Sequence, residues 1–153
     1  MPPRHPQPDS GREHALDELS RAAYSLSAAD ARLRGRATRT PGALSLTHAR
    51  ALRALARNGP LSIRELAAAT ETTPPGATQL VNGLVAAGYV TREQTPGRKA
   101  VAVALTASGR DRHDERQAIL QRALDTALAD YDVAALDSAA EVLRQLSAIY
   151  DRL

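Results

Sequence analysis

Thr78, Gln79 and Asn82 place three hydrogen-bonding side chains within one helical turn of the stretch "TTPPGATQLVNGLVAAGYV", residues 72–90. The Gln and Asn amides can pair in bidentate fashion with adenine, and a Thr hydroxyl can bond to any base edge. The stretch carries no charge, so its polar surface suits reading a sequence more than gripping a backbone. Residues fit for gripping lie on both sides of it. Ser62 and Arg64 precede it, and Arg92, Arg98 and Lys99 follow it, offering a hydroxyl and cations to phosphate oxygens. Within the stretch, Thr73 and Pro75 stand at a helix N-terminus, whose positive end favours a phosphate, and Gly76 permits a close backbone approach.

These side chains need a helix to hold them, and the sequence supplies its boundaries. Thr73 is an N-cap, and Pro74 and Pro75 occupy the first helical positions, where a missing N–H removes no intrahelical bond. Ala77, Leu80, Val81, Leu84 and Val85 form the apolar stripe, and Gly88 closes the helix. Before it lies "LSIREL", in which Ser62 and Glu65 make a capping box for a short helix of about one to two turns, with a hydrophobic staple between Leu61 and Leu66. Thr70–Thr72 is the turn between the two helices. An earlier helix is capped by Ser45, carries Leu46, Ala49, Leu52 and Leu55 on one face, and ends at Asn58-Gly59-Pro60. After the central helix, Tyr89–Arg92 and Val101–Leu105 alternate as two strands of a hairpin whose tip carries Arg98 and Lys99.

Long helices flank this centre. Residues 12–38 place Leu16, Leu19, Ala23, Leu26 and Leu33 on a seam interrupted at Asp30, and Thr40-Pro41-Gly42 ends it. Thr106 caps a following helix, which breaks near Asp130–Asp132. The last helix carries Leu136, Leu143 and Tyr150 in one seven-residue series, and Ala139, Leu146 and Leu153 in another. Seams at both ends of a small chain point to helices that pair between two subunits.

The 153 residues fit one domain with an oligomerisation extension. The absence of cysteine excludes disulfides and thiol-based sensing. No apolar run is long enough to span a membrane, and "MPPRHPQPDSG" lacks the apolar centre of a signal peptide, so a cytoplasmic location is expected, with residues 1–11 as a disordered arm. Net charge is only +3, but between Asp30 and Glu65 no acid occurs while eight arginines do. A basic middle suggests a polyanionic partner; a solvated cationic surface is the plain alternative. The cluster Arg32–Arg39 fits neutralisation of a helix C-terminal dipole better than contact with flanking phosphate.

The order of helix, helix, short helix, turn, helix, hairpin and two further helices resembles the MarR family of bacterial winged-helix transcriptional regulators. The resemblance is carried by residues 44–109, through Leu66-Ala67, Thr73-Pro74, the pattern L-x-x-x-G-Y-V-x-R at Leu84–Arg92, and R-K-A-x-x-V-x-L-T-x-x-G at Arg98–Gly109. The family often has an Asp before the basic pair of the wing; here that residue is Gly97. The resemblance implies a mainly α fold with a small β-hairpin wing. Residues 12–40 and 107–153 form a helical dimerisation domain around a winged helix-turn-helix at 41–106. It implies a homodimer bound to double-stranded DNA at a pseudo-palindromic operator, acting as a repressor and released by a small-molecule effector. Leu16, Leu19, Leu26, Leu136, Leu143, Leu146 and Tyr150 would make the dimer contacts, and Tyr24, His48, Arg50 and Arg53 are the polar candidates for the effector site. The alternative is a winged-helix protein-interaction module that does not bind DNA.

No catalytic set emerges: there is no P-loop, no G-x-S-x-G and no His/Cys pair, so no enzyme and no cofactor are expected. His14 and Glu18 lie four apart on one helix face, but such a lone pair is ordinarily solvated, and no metal site is expected.

Overall fold

The computed structural model describes residues 10–37, 39–40, 43–94, 96–97 and 100–153. The expected arm lies outside these residues save for its end, since the first helix, α1, spans Ser10–Ala37. There follow α2 (Leu46–Asn58), β1 (Leu61–Ser62), α3 (Ile63–Ala69), α4 (Pro74–Ala86), β2 (Val90–Gln94), β3 (Val101–Leu105), α5 (Ala107–Ala127) and α6 (Val133–Tyr150). The fold is mainly α with a small antiparallel sheet, as a winged helix requires. Contacts divide the chain into two units: Leu33–Val133, and the remainder made of α1 as far as Arg32 with Ala134–Leu153.

The central unit owns the core. Leu52, Leu55, Leu66, Leu84, Val81, Val90 and Val103 are almost wholly buried, so α2, α3, α4 and the sheet share one aliphatic interior, with the partly buried Tyr89 packed against it. The expected staple pair, Leu61 and Leu66, is in that interior. The sheet differs from the expected hairpin. It has three strands in the order β1-β3-β2, because Leu61 and Ser62 pair with Val103 and Ala102 on the far side of β3. Two residues make no alternating pattern, and the capping box of α3 starts at the same serine, so the strand leaves no separate sequence signal.

The helix boundaries follow capping chemistry. Ser45 Oγ lies 2.7 Å from His48 Nδ1 and accepts from His48 N–H at 3.3 Å, closing a capping box in which imidazole replaces the usual carboxylate. Burial lowers the pKa of His48, which favours the neutral ring that can accept at Nδ1. At the end of α4, Gly88 N–H donates to Val85 O and Tyr89 N–H to Leu84 O, both at 2.9 Å. This is a Schellman closure with Gly88 at φ 80°. At the end of α1, Arg39 Nε donates to Gly35 O at 3.1 Å, which satisfies a terminal carbonyl.

In the second unit neither α1 nor α6 has a buried residue. Leu16, Leu26, Leu136, Leu143 and Tyr150 of the expected seams are exposed, and Leu19 and Leu146 are half-buried. No helix among the described residues is long and apolar enough to cross a membrane. Among them, too, no cluster of three or more His, Asp or Glu residues is placed to hold a metal ion.

Candidate nucleic-acid interface

Two successive helix starts build the candidate surface. Ser62 caps α3 by accepting from Glu65 N–H at 3.1 Å, while Ser62 N–H donates to the Glu65 carboxylate at 3.3 Å. Arg64, one residue into the helix beyond Ile63, is exposed. Thr73 caps α4 by accepting from Gly76 N–H at 3.2 Å, and Pro74 and Pro75 fill the first two helical positions. Pro75, Gly76, Thr78, Gln79 and Asn82 are all exposed, whereas Ala77, Leu80, Val81 and Leu84 are buried. Val85, expected in the stripe, is 36% exposed. The buried side of α4 is thus four residues, and the opposite side is free to meet a groove.

The polar side chains of α4 are not equivalent. Thr78 Oγ1 donates to Pro74 O at 3.1 Å, so its proton is spent within the helix and it is left as an acceptor. Asn82 Oδ1 accepts from the Arg92 guanidinium, reaching across from β2. A bidentate adenine contact by Asn82 would need both its amide groups, and one is already engaged. Among the described residues, Gln79 has no protein hydrogen-bond partner, which leaves its amide oxygen and nitrogen available together. The pairing of Asn82 with Arg92 also ties the first wing strand to the recognition helix, a link that separation by ten residues hid in the sequence.

The strands of the wing run in register from Val90 opposite Leu105 to Gln94 opposite Val101. Arg98 and Lys99, the expected cationic tip, lie outside the described residues. Gly97 adopts φ 86°, a conformation that an aspartate would reach only with strain.

The four candidates for an effector site separate. Arg50 and Arg53 line a cavity of about 200 Å³ between α2 and α5, with Leu46, Ala49, Leu52 and Leu120 as its apolar walls. His113, Arg116 and Gln117 of α5 add polar groups that the sequence reading did not single out. Leu46 and Ala49 belong to the apolar stripe expected on α2, yet the buried residues of that helix are Ala51, Leu52 and Leu55. The leading end of the stripe therefore opens on the cavity instead of the core. His48 instead lines a second cavity with Arg39, Thr40, Gly83 and Tyr89. Tyr24, on α1 in the other unit, is 74% exposed. Only a helix-by-helix register between α2 and α5 would have pointed to Arg116, and one sequence does not contain it.

A capped short helix, a turn, a second helix with one polar face and a strand pair tethered to it define a winged helix-turn-helix. Residues 44–99 match the family model described as MarR family. Solved structures agree in fold. A probable transcriptional regulator from Pseudomonas aeruginosa is 22% identical, covers 81% of this chain and 95% of its own, and superposes with a TM-score of 0.64. A MarR family protein from Bacillus stearothermophilus is 23% identical over 91% of this chain and 97% of its own, with a TM-score of 0.61. BpsR of Bordetella bronchiseptica, whose DNA binding is regulated by 6-hydroxynicotinic acid, is 20% identical over 87% of this chain and 98% of its own, with a TM-score of 0.63. No curated protein sequence matches the chain. Residues 44–99 hold the helix-turn-helix and the first strand of the wing, so over this segment the chain is similar to the MarR family, and the solved structures share its winged-helix fold.

Proposed function

We propose that the chain is a homodimeric repressor that reads a pseudo-palindromic duplex operator through α4 and leaves it when a small molecule binds. The observation that carries this reading is the division of α4. Its buried face is wholly aliphatic, and its exposed face presents Thr78 and an unengaged Gln79 beside a capped, acid-free N-terminus. Base edges are met by Gln79, with Thr78 as acceptor, and phosphates by Ser62, Thr73 and the backbone at Pro75 and Gly76. Arg64, Arg98 and Lys99 supply the salt-dependent part of the affinity. Arg92 divides its guanidinium between Asn82 and a backbone phosphate. Selection of bound duplexes from a random pool tests the reading, and an inverted repeat is the expected product.

Two-fold symmetry requires a dimer, and the exposed leucines of α1 and α6 are the surface for it. Leu143, 48% exposed, lies in the middle of the α6 series, between Leu136 and Tyr150. Leu143→Asp should convert the dimer to a monomer in sedimentation equilibrium and should abolish stable operator binding, while circular dichroism keeps its helical signal. A wild-type protein that sediments as a monomer removes the dimer from the account.

Release by a small molecule is supported by the cavity between α2 and α5, where apolar walls meet arginines. The relative from B. bronchiseptica, whose DNA binding responds to a small aromatic acid, is consistent with such control.

A further inference from the structure

The hydrogen bond between Arg92 and Asn82 stands on packed elements at both ends. Arg92 lies on β2 opposite Val103, and Val103 pairs on its other side with Leu61 of β1. Arg92 therefore belongs to a row that crosses all three strands, and Val103 at the centre of that row is wholly buried. Asn82 is fixed as firmly, since Val81 before it and Leu84 two residues on are buried. The two side chains that meet are themselves exposed, on the side of α4 that is open to a groove.

The bond settles what Asn82 can still offer. A guanidinium can only donate, so it takes the amide oxygen and leaves Asn82 its NH2 group. Among the described residues Arg92 makes no ion pair, so no carboxylate draws the guanidinium off the amide. Thr78 and Gln79, four and three residues earlier, share this face of α4. Gln79 keeps both halves of its amide, whereas Asn82 is a donor alone.

Base edges answer differently to the two. An amide pairs with adenine by accepting from N6–H and donating to N7 at once. With its oxygen engaged, Asn82 cannot accept, and cytosine presents only the N4 donor. Guanine presents N7 and O6, and thymine presents O4, and these accept from an NH2 group without calling on its oxygen.

We infer that Arg92 is a specificity-determining residue that acts through Asn82: by holding the amide oxygen, it makes Asn82 select guanine or thymine against adenine and cytosine. The inference rests on the reading of α4 as a base-reading helix and adds the base class met by one of its residues. Arg92 is thus a positioning residue for base recognition, whatever phosphate its remaining N–H groups meet. The pair strengthens where DNA excludes water from it. One hydrogen bond changes an equilibrium by about two- to tenfold, and that is the size of the preference.

Selection from a random duplex pool at low salt, run in parallel on variants of the full chain, tests the inference. The wild type should enrich guanine or thymine at one position of each half-site, and Asn82→Ala should lose that preference. Arg92→Ala frees the oxygen and should turn the same position to adenine, by about two- to tenfold in competition between duplexes. Positions that respond to Gln79→Ala should not change. A double variant carrying Arg92→Ala and Asn82→Ala should lose the adenine preference, because the residue that reads it is gone. Arg92→Met keeps the aliphatic stem, removes every donor and should repeat the result of Arg92→Ala with less disturbance of the sheet. Adenine or cytosine at the Asn82 position in the wild type, no position that responds to Asn82→Ala, a position that does not turn to adenine in the Arg92 variants, or adenine that survives in the double variant overturns the inference. A wild type that enriches no sequence removes base reading by α4 altogether, and the inference with it. An enriched repeat with the wrong response at that position removes the role of Arg92 alone.

Discussion

Replacing Gly109 by alanine should lower the melting temperature of the chain by several degrees. Gly109 is buried in the first turn of α5, and a Cβ built there would lie 1.9 Å from Tyr89 O and 2.8 Å from Tyr89 C. Those atoms are backbone, and they are not free to retreat. Thr106 N–H donates to Tyr89 O at 3.1 Å, and Thr106 Oγ1 donates to Gly88 O at 2.7 Å, so the start of α5 is bolted to the end of α4 at the carbonyl the methyl would strike and at the one before it. Overpacking of this kind costs about 1–3 kcal/mol. For a chain of this size each kcal/mol corresponds to roughly 2–4 °C. Gly35→Ala supplies the contrast. That helical glycine would place its Cβ 3.5 Å from the movable end of Arg39, an ordinary contact. Removing its backbone freedom should stabilise α1 by about 0.5–1 kcal/mol. Opposite signs for two glycine-to-alanine changes, measured by thermal unfolding, are the expected result. A neutral Gly109→Ala would mean that α5 does not dock on α4 as described.

The second large effect is expected at Gln79. Its amide is the one on α4 with both groups unengaged, so Gln79→Ala should cost about 1–3 kcal/mol on the preferred duplex, roughly ten- to a hundredfold in affinity. The loss should fall on the preferred sequence and vanish on unrelated duplexes, and the dependence on salt should not change, because no phosphate contact is removed. Asn82→Ala should do less, since the Asn82 oxygen already serves Arg92. Anisotropy titrations of both variants against preferred and scrambled duplexes read this directly. A uniform loss on all sequences would assign Gln79 to general affinity and not to reading.

Much of this was legible because local chemistry decides it. The Ser45, Ser62 and Thr73 caps, the prolines at the head of α4 and the Gly88 closure are each written in one or two residues, and the observed helices begin and end at them. The glycine that ends the R-K-A-x-x-V-x-L-T-x-x-G pattern, Gly109, could be seen in the sequence, but its reason could not, since it is a clash with Tyr89 twenty residues earlier. What stayed hidden depends on distant pairs. β1 exists only because β3 lies beside it, the tie between Arg92 and Asn82 joins a strand to a helix, and the Arg50–Glu71 pair spans 21 residues. The effector candidates show the same limit. Helical periodicity placed Arg50 and Arg53 on α2 but could not say that Arg116 would face them across a cavity while His48 turned to another.

The central claim is that α4 reads duplex sequence twice, once per subunit. Selection from a random duplex pool at low salt, followed by sequencing of the bound fraction, tests it most directly. The account predicts an inverted repeat whose half-sites lie about one helical turn, roughly 10 base pairs, apart. It also predicts binding to that repeat that falls steeply as salt is raised. A folded, dimeric protein that enriches no sequence under those conditions would contradict the account and would favour a winged helix that contacts protein in place of DNA.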